Sequence, residues 1–166
     1  MKERQSGVLM HISSLPGKYG IGSMGQEAYD FVDFLKETKQ TYWQILPLTT
    51  TSYGDSPYQS FSAIAGNPHL IDFDLLIEDG LLEEADVDGV NFGEQPDLVD
   101  YALIYQVRRP ILEKAVRRFL SNDRNKALLA AFEKANSTWL NDYAEFMAIK
   151  EKFDNRALQE WGDKAV

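Results

Sequence analysis

The two stretches that decide the fold are Val8-Leu9-Met10-His11-Ile12 and Tyr42-Trp43-Gln44-Ile45-Leu46. Each is a short apolar run bounded by residues that break regular structure, which favours a buried strand over a helix. Between them, four apolar residues recur at the spacing of one helix face: Ala28, Phe31, Val32 and Leu35. Strand, helix and strand in this order predict a βαβ unit with parallel strands. Because a parallel pair needs cover on both faces, we expect it to belong to a larger α/β sheet.

The other elements are predicted from local helix signals. Ser23 and Gln26 match an S-x-x-Q capping box at the start of the first helix. Residues 101–120 predict a helix in which Pro110 introduces a kink or a break, and Ser137 is expected to cap a last helix. Residues 76–97 are acidic and rich in Gly and Asp, so we interpret them as a linker-like excursion.

The composition argues against several classes of function. The chain has 166 residues, and 26 acidic against 17 basic side chains give a formal net charge of −9, so we expect neither nucleic acid nor a membrane as partner. Arg108, Arg109, Arg117 and Arg118 form a basic cluster that we interpret as a solvated helix face. The chain has no cysteine, which excludes disulfides, and shows no metal-ligand spacing. No secretion signal or membrane-spanning run is readable, so we expect a cytoplasmic location.

The pattern G-x-G-x-x-G of dinucleotide-binding loops occurs at residues 20–25. In such loops the first glycine directly follows the strand, and an acidic residue ends the next strand to bind the ribose. Here residues 16–19 intervene, and the second strand runs into residues 46–51, which contain no acid. We therefore interpret residues 20–25 as a turn that precedes a helix, and we expect no nicotinamide or other cofactor.

The most informative segment is residues 52–68, which directly follow the second strand. In α/β folds the carboxyl ends of parallel strands carry the binding sites. The segment mixes aromatic rings with hydrogen-bonding side chains: Tyr53, Tyr58 and Phe61 with Asp55, Ser56, Gln59 and Asn67. A pyranose offers an apolar face for an aromatic ring and a rim of hydroxyls for donors and acceptors. These residue types fit a sugar site as well as an ordered loop whose tyrosines pack on its own core.

A series of motifs extends along essentially the whole chain: Gly7–Leu9, His11–Gly17, Tyr19–Gly22, Tyr42–Leu48, Tyr53–Ala63, Ala65–Pro68, Leu70–Asp72, Val99–Tyr101 and Asp142–Ala144. Together they resemble the N-terminal part of the 4-α-glucanotransferases, also called amylomaltases or disproportionating enzymes. The stretch Gly54-Asp55-Ser56-Pro57-Tyr58-Gln59 is the most specific of them. The departures are minor: Ile12 and Ser13 stand where relatives often have Pro and Thr.

The resemblance implies a (β/α)8 TIM barrel and a reaction. Residues 1–75 would hold the first βαβ portion of the barrel, and residues 76–166 the excursion and an incomplete, mainly helical inserted subdomain. The enzyme would transfer segments of α-1,4-glucans, such as maltose and maltodextrins, to another glucan or to glucose, with retention of configuration through two carboxylates. In the family these lie on later barrel strands, so we expect no catalytic residue here and an N-terminal fragment that is inactive by itself.

The resemblance also assigns the binding residues. Tyr58 would contact glucose units near the acceptor side of the cleavage point, Ser56 would be a hydrogen-bonding neighbour, and Tyr53 would help to define a glucan-holding surface. Asp55 belongs with them, although its carboxylate could instead bond backbone amides within the turn.

Other polar residues and functions are weaker candidates. Asp72 and Asp74 alternate with apolar residues, which predicts solvated charges on one face of an extended segment. His11 ends the first strand and could reach the site, or could be a hydrogen-bonded structural histidine. The competing function is a non-catalytic glucan-binding or scaffold module. Because a truncated barrel would expose a strand edge, we also expect self-association.

Overall fold

A computed structural model describes residues 4–51, 54–95 and 97–161 of the chain, which divides into two compact units, Met1–Leu120 and Ser121–Val166. The helices of the first unit are α1 (Gln26–Glu37), α2 (Phe73–Glu78), α3 (Glu84–Val87) and α4 (Tyr101–Leu120). Those of the second are α5 (Asp123–Ala135) and α6 (Leu140–Lys152). The boundary predicted after residue 75 separates the first barrel portion from the inserted subdomain. It is a different boundary from the one at residue 120, and it stays a prediction.

The βαβ unit is confirmed, in shorter form than predicted. Strands β1 (Gly7–Leu9) and β2 (Tyr42–Gln44) pair in parallel, with Val8 opposite Trp43, and α1 crosses between them. The prediction of buried strands is wrong, because the residues at both ends of each strand are exposed and only the central ones are half-buried. In the part of the chain that the structure describes, no third strand flanks this pair, so both of its edges are unpaired.

Helix α1 begins differently from the prediction. Its N-cap is Gly25, which has no side chain to cap with, so the capping box of Ser23 and Gln26 is wrong. The Ser23 hydroxyl instead donates to the buried Asp72 carboxylate, with an O···O distance of 2.5 Å. A Cβ on Gly25 would lie 2.3 Å from Asp72 Oδ2, so this close approach requires glycine. The capping-box pattern failed because the acceptor of the Ser23 hydroxyl lies 49 residues away in sequence.

Residues 73–78 are helical, not extended. Asp72 is the N-cap of α2 and accepts a hydrogen bond from the Leu75 amide at 3.0 Å. Asp74 in the first turn accepts one from the Tyr19 hydroxyl at 2.5 Å and pairs with Lys18 at 2.7 Å. The prediction of solvated charges is therefore wrong for Asp72, which is buried. The helical spacing of apolar residues in α2 outweighs the short alternation that suggested a strand.

The segment at residues 76–97 is part of the core, so its interpretation as a linker is wrong. Its apolar side chains join a cluster of buried residues from four parts of the first unit: Tyr19, Phe73, Leu82, Val87, Phe92, Ile111 and Ala115. From α4, Arg118 donates to the Asp86 carboxylate and to the Leu81 carbonyl, and Lys114 pairs with Asp86. The acidic composition thus reflects docking against a basic helix.

Helix α4 is continuous through Pro110, so the break offered as one outcome for that position is absent. Proline removes the bond to the carbonyl four residues earlier, and both Gln106 and Pro110 are exposed, where water can satisfy that carbonyl. The interpretation of the basic cluster as a solvated face is wrong for Arg108, which is fully buried. It stands on the same buried stripe as Ile104 and Ile111.

The second unit contains α5, α6 and a short 3-10 turn at Leu158–Glu160. The N-cap of α6 is Trp139, so the prediction that Ser137 caps this helix is wrong. Lys150 is buried and donates to the carbonyls of Asn155 and Arg156, which closes the C-terminal end of α6. Throughout the described residues, no helix combines the length and apolarity needed to cross a membrane.

Candidate functional site

The candidate site is the loop that follows β2, here called the site loop and defined as residues 54–70. Its base is a short antiparallel contact: the Asn67 amide donates to the Leu48 carbonyl at 2.8 Å, and the Thr50 amide donates to the Ala65 carbonyl at 3.3 Å. The loop therefore leaves and returns at one place, at the carboxyl end of β2. Tyr53, one of the predicted binding residues, lies outside the described residues.

A tight turn at residues 56–59 presents Tyr58. The Gln59 amide donates to the Ser56 carbonyl at 3.1 Å, and Pro57 takes the second position of the turn, where its fixed φ is favoured. The Ser56 hydroxyl oxygen accepts from the Tyr58 amide at 3.3 Å. The Tyr58 side chain is 72% exposed. The turn thus holds an aromatic ring in solvent on a constrained backbone, which suits stacking against the apolar face of a sugar.

Asp55 lies at the start of the loop beside Tyr105 of α4. Gly54 and Asp55 both have positive φ, of 79° and 55°, a conformation that glycine and aspartate tolerate better than other residues. The Tyr105 hydroxyl shares a 2.8 Å hydrogen bond with Thr51 Oγ1. Burial and the nearby Asp55 carboxylate raise the pKa of Tyr105. The structure thus places Asp55 against a helix that supports the loop, and its neighbour Ser56 in the turn.

Serine hydroxyls stabilise the return half of the loop from within. Ser60 Oγ donates to the Ser62 carbonyl at 2.7 Å. Ser62 Oγ accepts from the amides of Ile64 and Ala65 at 3.1 and 3.0 Å. Such side chain to backbone bonds replace the ladder bonds that a strand or helix would supply, so the loop has an ordered conformation without regular secondary structure.

The loop ends in the 3-10 turn Pro68–Leu70, which Asn67 caps by accepting from the His69 amide at 2.9 Å. The His69 ring is buried and meets the Tyr105 ring edge-on, with 4.7 Å between centroids. Burial, together with the charge of Arg108, lowers the pKa of His69 to about 4. This histidine is therefore neutral at physiological pH and acts as an apolar packing partner for α4 rather than as an acid or base.

His11, the other histidine, does not show the hydrogen bond that a structural role would predict. Its Nδ1 is buried without a hydrogen-bond partner, and burial lowers its pKa. No group of three or more histidine and acidic side chains that could hold a metal ion exists among the residues that the structure describes.

The dinucleotide-binding alternative is weakened by Asp72. In such sites the pyrophosphate lies at the N-terminus of the helix that follows the glycine-rich loop. Here the carboxylate of Asp72 approaches Gly25 at that place and accepts the Ser23 hydroxyl. The negative charge of this carboxylate would repel a pyrophosphate at the same place. We therefore interpret residues 20–25 as a turn packed on the core.

Two residues of α4 that support the site loop were not among the predicted functional residues. Tyr105 contacts Thr51 and His69, and Arg108 contacts the chain just after the loop. The sequence does contain a signal that Arg108 is buried. It lies four residues after Ile104 and three before Ile111, which places it on the apolar stripe of the helix. A charged residue at a core position is rare unless it has partners. Tyr105 gave no comparable signal.

Comparisons with known proteins agree with one another. Residues 10–166 match the family described as 4-alpha-glucanotransferase. A 4-alpha-glucanotransferase of Streptococcus pneumoniae is 66% identical over 163 residues, which are 98% of this chain and 32% of the relative. One of Thermus thermophilus is 48% identical over 149 residues, covering 89% of this chain and 29% of the relative. The solved amylomaltase of Streptococcus agalactiae, in complex with acarbose, superposes with a TM-score of 0.94 at 61% identity, over 99% of this chain and 33% of that one. The chain therefore spans about a third of the length of these relatives.

Proposed function

This chain belongs to the 4-alpha-glucanotransferase family, and from that premise we propose that it is part of an enzyme that transfers α-1,4-glucan segments between maltodextrins or to glucose. The 166-residue chain supplies a glucan-holding surface on the acceptor side of the cleaved bond. Bond cleavage proceeds by a retaining double displacement, for which a carboxylate nucleophile and an acid/base carboxyl are needed. We assign these to barrel strands beyond Val166, so the 166-residue chain alone is inactive.

The observation that carries the assignment of the surface is the exposed Tyr58 ring on its proline-containing turn. The ring is 72% exposed although it lies on an ordered loop. Exposed rings at the carboxyl end of a parallel strand stand where barrel enzymes bind their substrates. Ser56 and Asp55 lie next to it, and Tyr53 completes the proposed binding set. The complex of the Streptococcus agalactiae relative with acarbose supports a glucan as the ligand class.

The surroundings follow from the same proposal. β1 and β2 are the first strands of a TIM barrel, and the later helices form an inserted subdomain. Further strands of the barrel would cover the exposed side chains of Leu9 and Tyr42 on this pair. Without them we expect the 166-residue chain to self-associate. We propose a cytoplasmic location, α-1,4-glucans and glucose as the molecules bound, and neither nucleic acid nor a membrane as partner.

The test is Tyr58→Ala in the full-length enzyme. Loss of the ring removes a stacking contact worth about 1 kcal/mol, so the KM for maltotriose should rise about fivefold. Tyr58→Phe keeps the ring and should restore most of the affinity. Initial rates of maltotriose disproportionation, measured as glucose released, give KM and kcat.

The matched control is Tyr29→Ala. Tyr29 is also strongly exposed, at 62%, but belongs to α1 and not to the site loop. It should leave KM and kcat unchanged. A Tyr58→Ala enzyme with the wild-type KM would refute the proposed glucan surface, and transfer activity of the purified 166-residue chain would refute the placement of the catalytic carboxylates.

A further inference from the structure

Among the residues that the structure describes, Arg108 is the largest fully buried side chain, and its guanidinium donates to main-chain carbonyls of two other segments. Nη1 donates to the Tyr19 carbonyl at 3.2 Å, and Nη2 donates to the Ile71 carbonyl at 2.5 Å. The guanidinium carbon lies 4.1 Å from the centroid of the Phe73 ring. One side chain of α4 therefore joins the loop after β1 to the chain that enters α2.

The positions of these carbonyls relate Arg108 to the site loop. Ile71 directly follows the 3-10 turn that ends the loop. Tyr105 lies three residues before Arg108 on the same side of α4 and shares a hydrogen bond with Thr51, three residues before the loop begins. Helix α4 thus contacts the chain just before the loop through Tyr105 and just past its end through Arg108. The Tyr58 turn lies between these two attachments.

The chemistry of arginine explains why this residue is at this place. Its planar guanidinium offers donors in a fixed fork, so it can hold two carbonyls from different segments while its flat face stacks on an aromatic ring. A buried charge is costly unless it is paired and hydrogen-bonded. Burial lowers the pKa of Arg108 to about 10, so it remains charged at neutral pH. A methionine, whose side chain is two atoms shorter, would fill part of the space without the donors.

We propose that Arg108 is a positioning residue, which fixes the end of the site loop through the Ile71 carbonyl and thereby keeps the Tyr58 turn in its glucan-binding conformation. This role rests on the function proposed above for the site loop. Arg108 itself touches no glucan, because it has no exposed surface. It acts on substrate affinity only through the loop.

The experiment uses full-length enzyme with Arg108→Met and Arg108→Lys. Met removes both hydrogen bonds, and Lys keeps the charge but loses the fork. For Arg108→Met we expect the KM for maltotriose to rise about fivefold while kcat changes by less than about twofold. Lys should recover part of the affinity. Hydrogen exchange followed by mass spectrometry should show faster exchange in residues 54–71 of the Met variant.

The matched control is Arg109→Met, which removes the same side chain from the next position. Arg109 is exposed and pairs with Glu113 within α4, so KM and loop exchange should not change. If Arg108→Met does not fold, Arg108→Lys decides the question by the same two readouts. Wild-type KM and loop exchange in the folded variants overturn the proposal. A fall in kcat at constant KM, or failure of both variants to fold, also overturns it, because Arg108 would then be a general support of the fold.

Tyr58→Ala, measured in parallel, separates the two hypotheses. If Tyr58→Ala raises KM and the Arg108 variants do not, only the positioning role is lost. If the Arg108 variants loosen the loop in the exchange experiment but neither they nor Tyr58→Ala change KM, the loop is not the glucan surface and the proposed function is lost.

Discussion

The site loop and the layer beneath it are held together in different ways. The loop is stabilised mainly by bonds between near neighbours, such as Ser62 Oγ to the amides of Ile64 and Ala65. The supporting layer, defined as Tyr19, Asp72, Phe73 and Arg108, is joined by bonds between residues 37 to 89 positions apart. The loop therefore keeps a defined shape while its functional ring stays exposed, and the layer fixes where that shape stands in the molecule.

This difference predicts that substitutions in the two regions have separable effects. With the exception of Arg108, whose bond to the Ile71 carbonyl also positions the site loop, a change in the supporting layer should mainly lower stability, since its side chains are buried and linked to several elements. A change in the loop should mainly alter substrate affinity, since its tip is exposed and makes few contacts with the core.

The largest effect is expected for Phe73→Ala. Phe73 has no exposed surface and packs against the rings of Tyr19 and Phe92 and against Arg108. Truncation of a buried phenylalanine costs about 3–5 kcal/mol, so the thermal midpoint of the full-length enzyme should fall by several degrees. The KM of the remaining folded enzyme for maltotriose should stay within about twofold of the wild type. A fully stable Phe73→Ala enzyme would show that the layer does not carry the stability of this region.

A smaller effect, dependent on pH, is expected at the boundary between the two regions. His69 ends the site loop, and burial with the charge of Arg108 lowers its pKa from 6.5 to about 4. Between these values the unfolded state binds more protons than the folded state, so stability is complete above pH 6.5 and is lost as the pH falls towards 4. The loss attributable to His69 is on the order of 2–3 kcal/mol.

His69→Phe keeps a ring against Tyr105 and removes the titration. Thermal midpoints of the full-length enzyme measured from pH 7 to pH 4 should fall less steeply for this variant than for the wild type. Among the described residues, the charged and titratable groups that face His69 are Arg108 and Tyr105 of α4, and both stay in place, which makes the comparison specific. Parallel curves for the two proteins would show that His69 is not kept neutral by its surroundings.

The difference between local and long-range contacts also explains which features could be predicted from the sequence. The parallel βαβ unit could be predicted because it depends on local signals, apolar runs separated by a helical period. The partner of Ser23 could not be found in this way, because the pattern offers Gln26 three residues later while the true acceptor, Asp72, is distant in sequence. The interpretation of residues 76–97 as a linker failed for a similar reason. Asp86 in this segment pairs with Arg118 and Lys114 of α4, and only folding brings these residues together.

The smallest effect on stability, and the sharpest test of the difference between the regions, is expected for Ser62→Ala. The Ser62 hydroxyl accepts two amides of the return half of the site loop, at 3.1 and 3.0 Å, and makes no bond to the supporting layer. Its loss should cost about 1 kcal/mol, all of it local. The thermal midpoint of the full-length enzyme should therefore change little, while the KM for maltotriose should rise about twofold to fivefold because the loop is less well ordered. Ser14→Ala, at an exposed serine of the 3-10 turn Ile12–Ser14, is the control and should change neither quantity. If Ser62→Ala instead lowered the midpoint as much as Phe73→Ala, the loop and the layer would unfold as one unit, and substrate affinity could not be adjusted in the loop without a loss of stability.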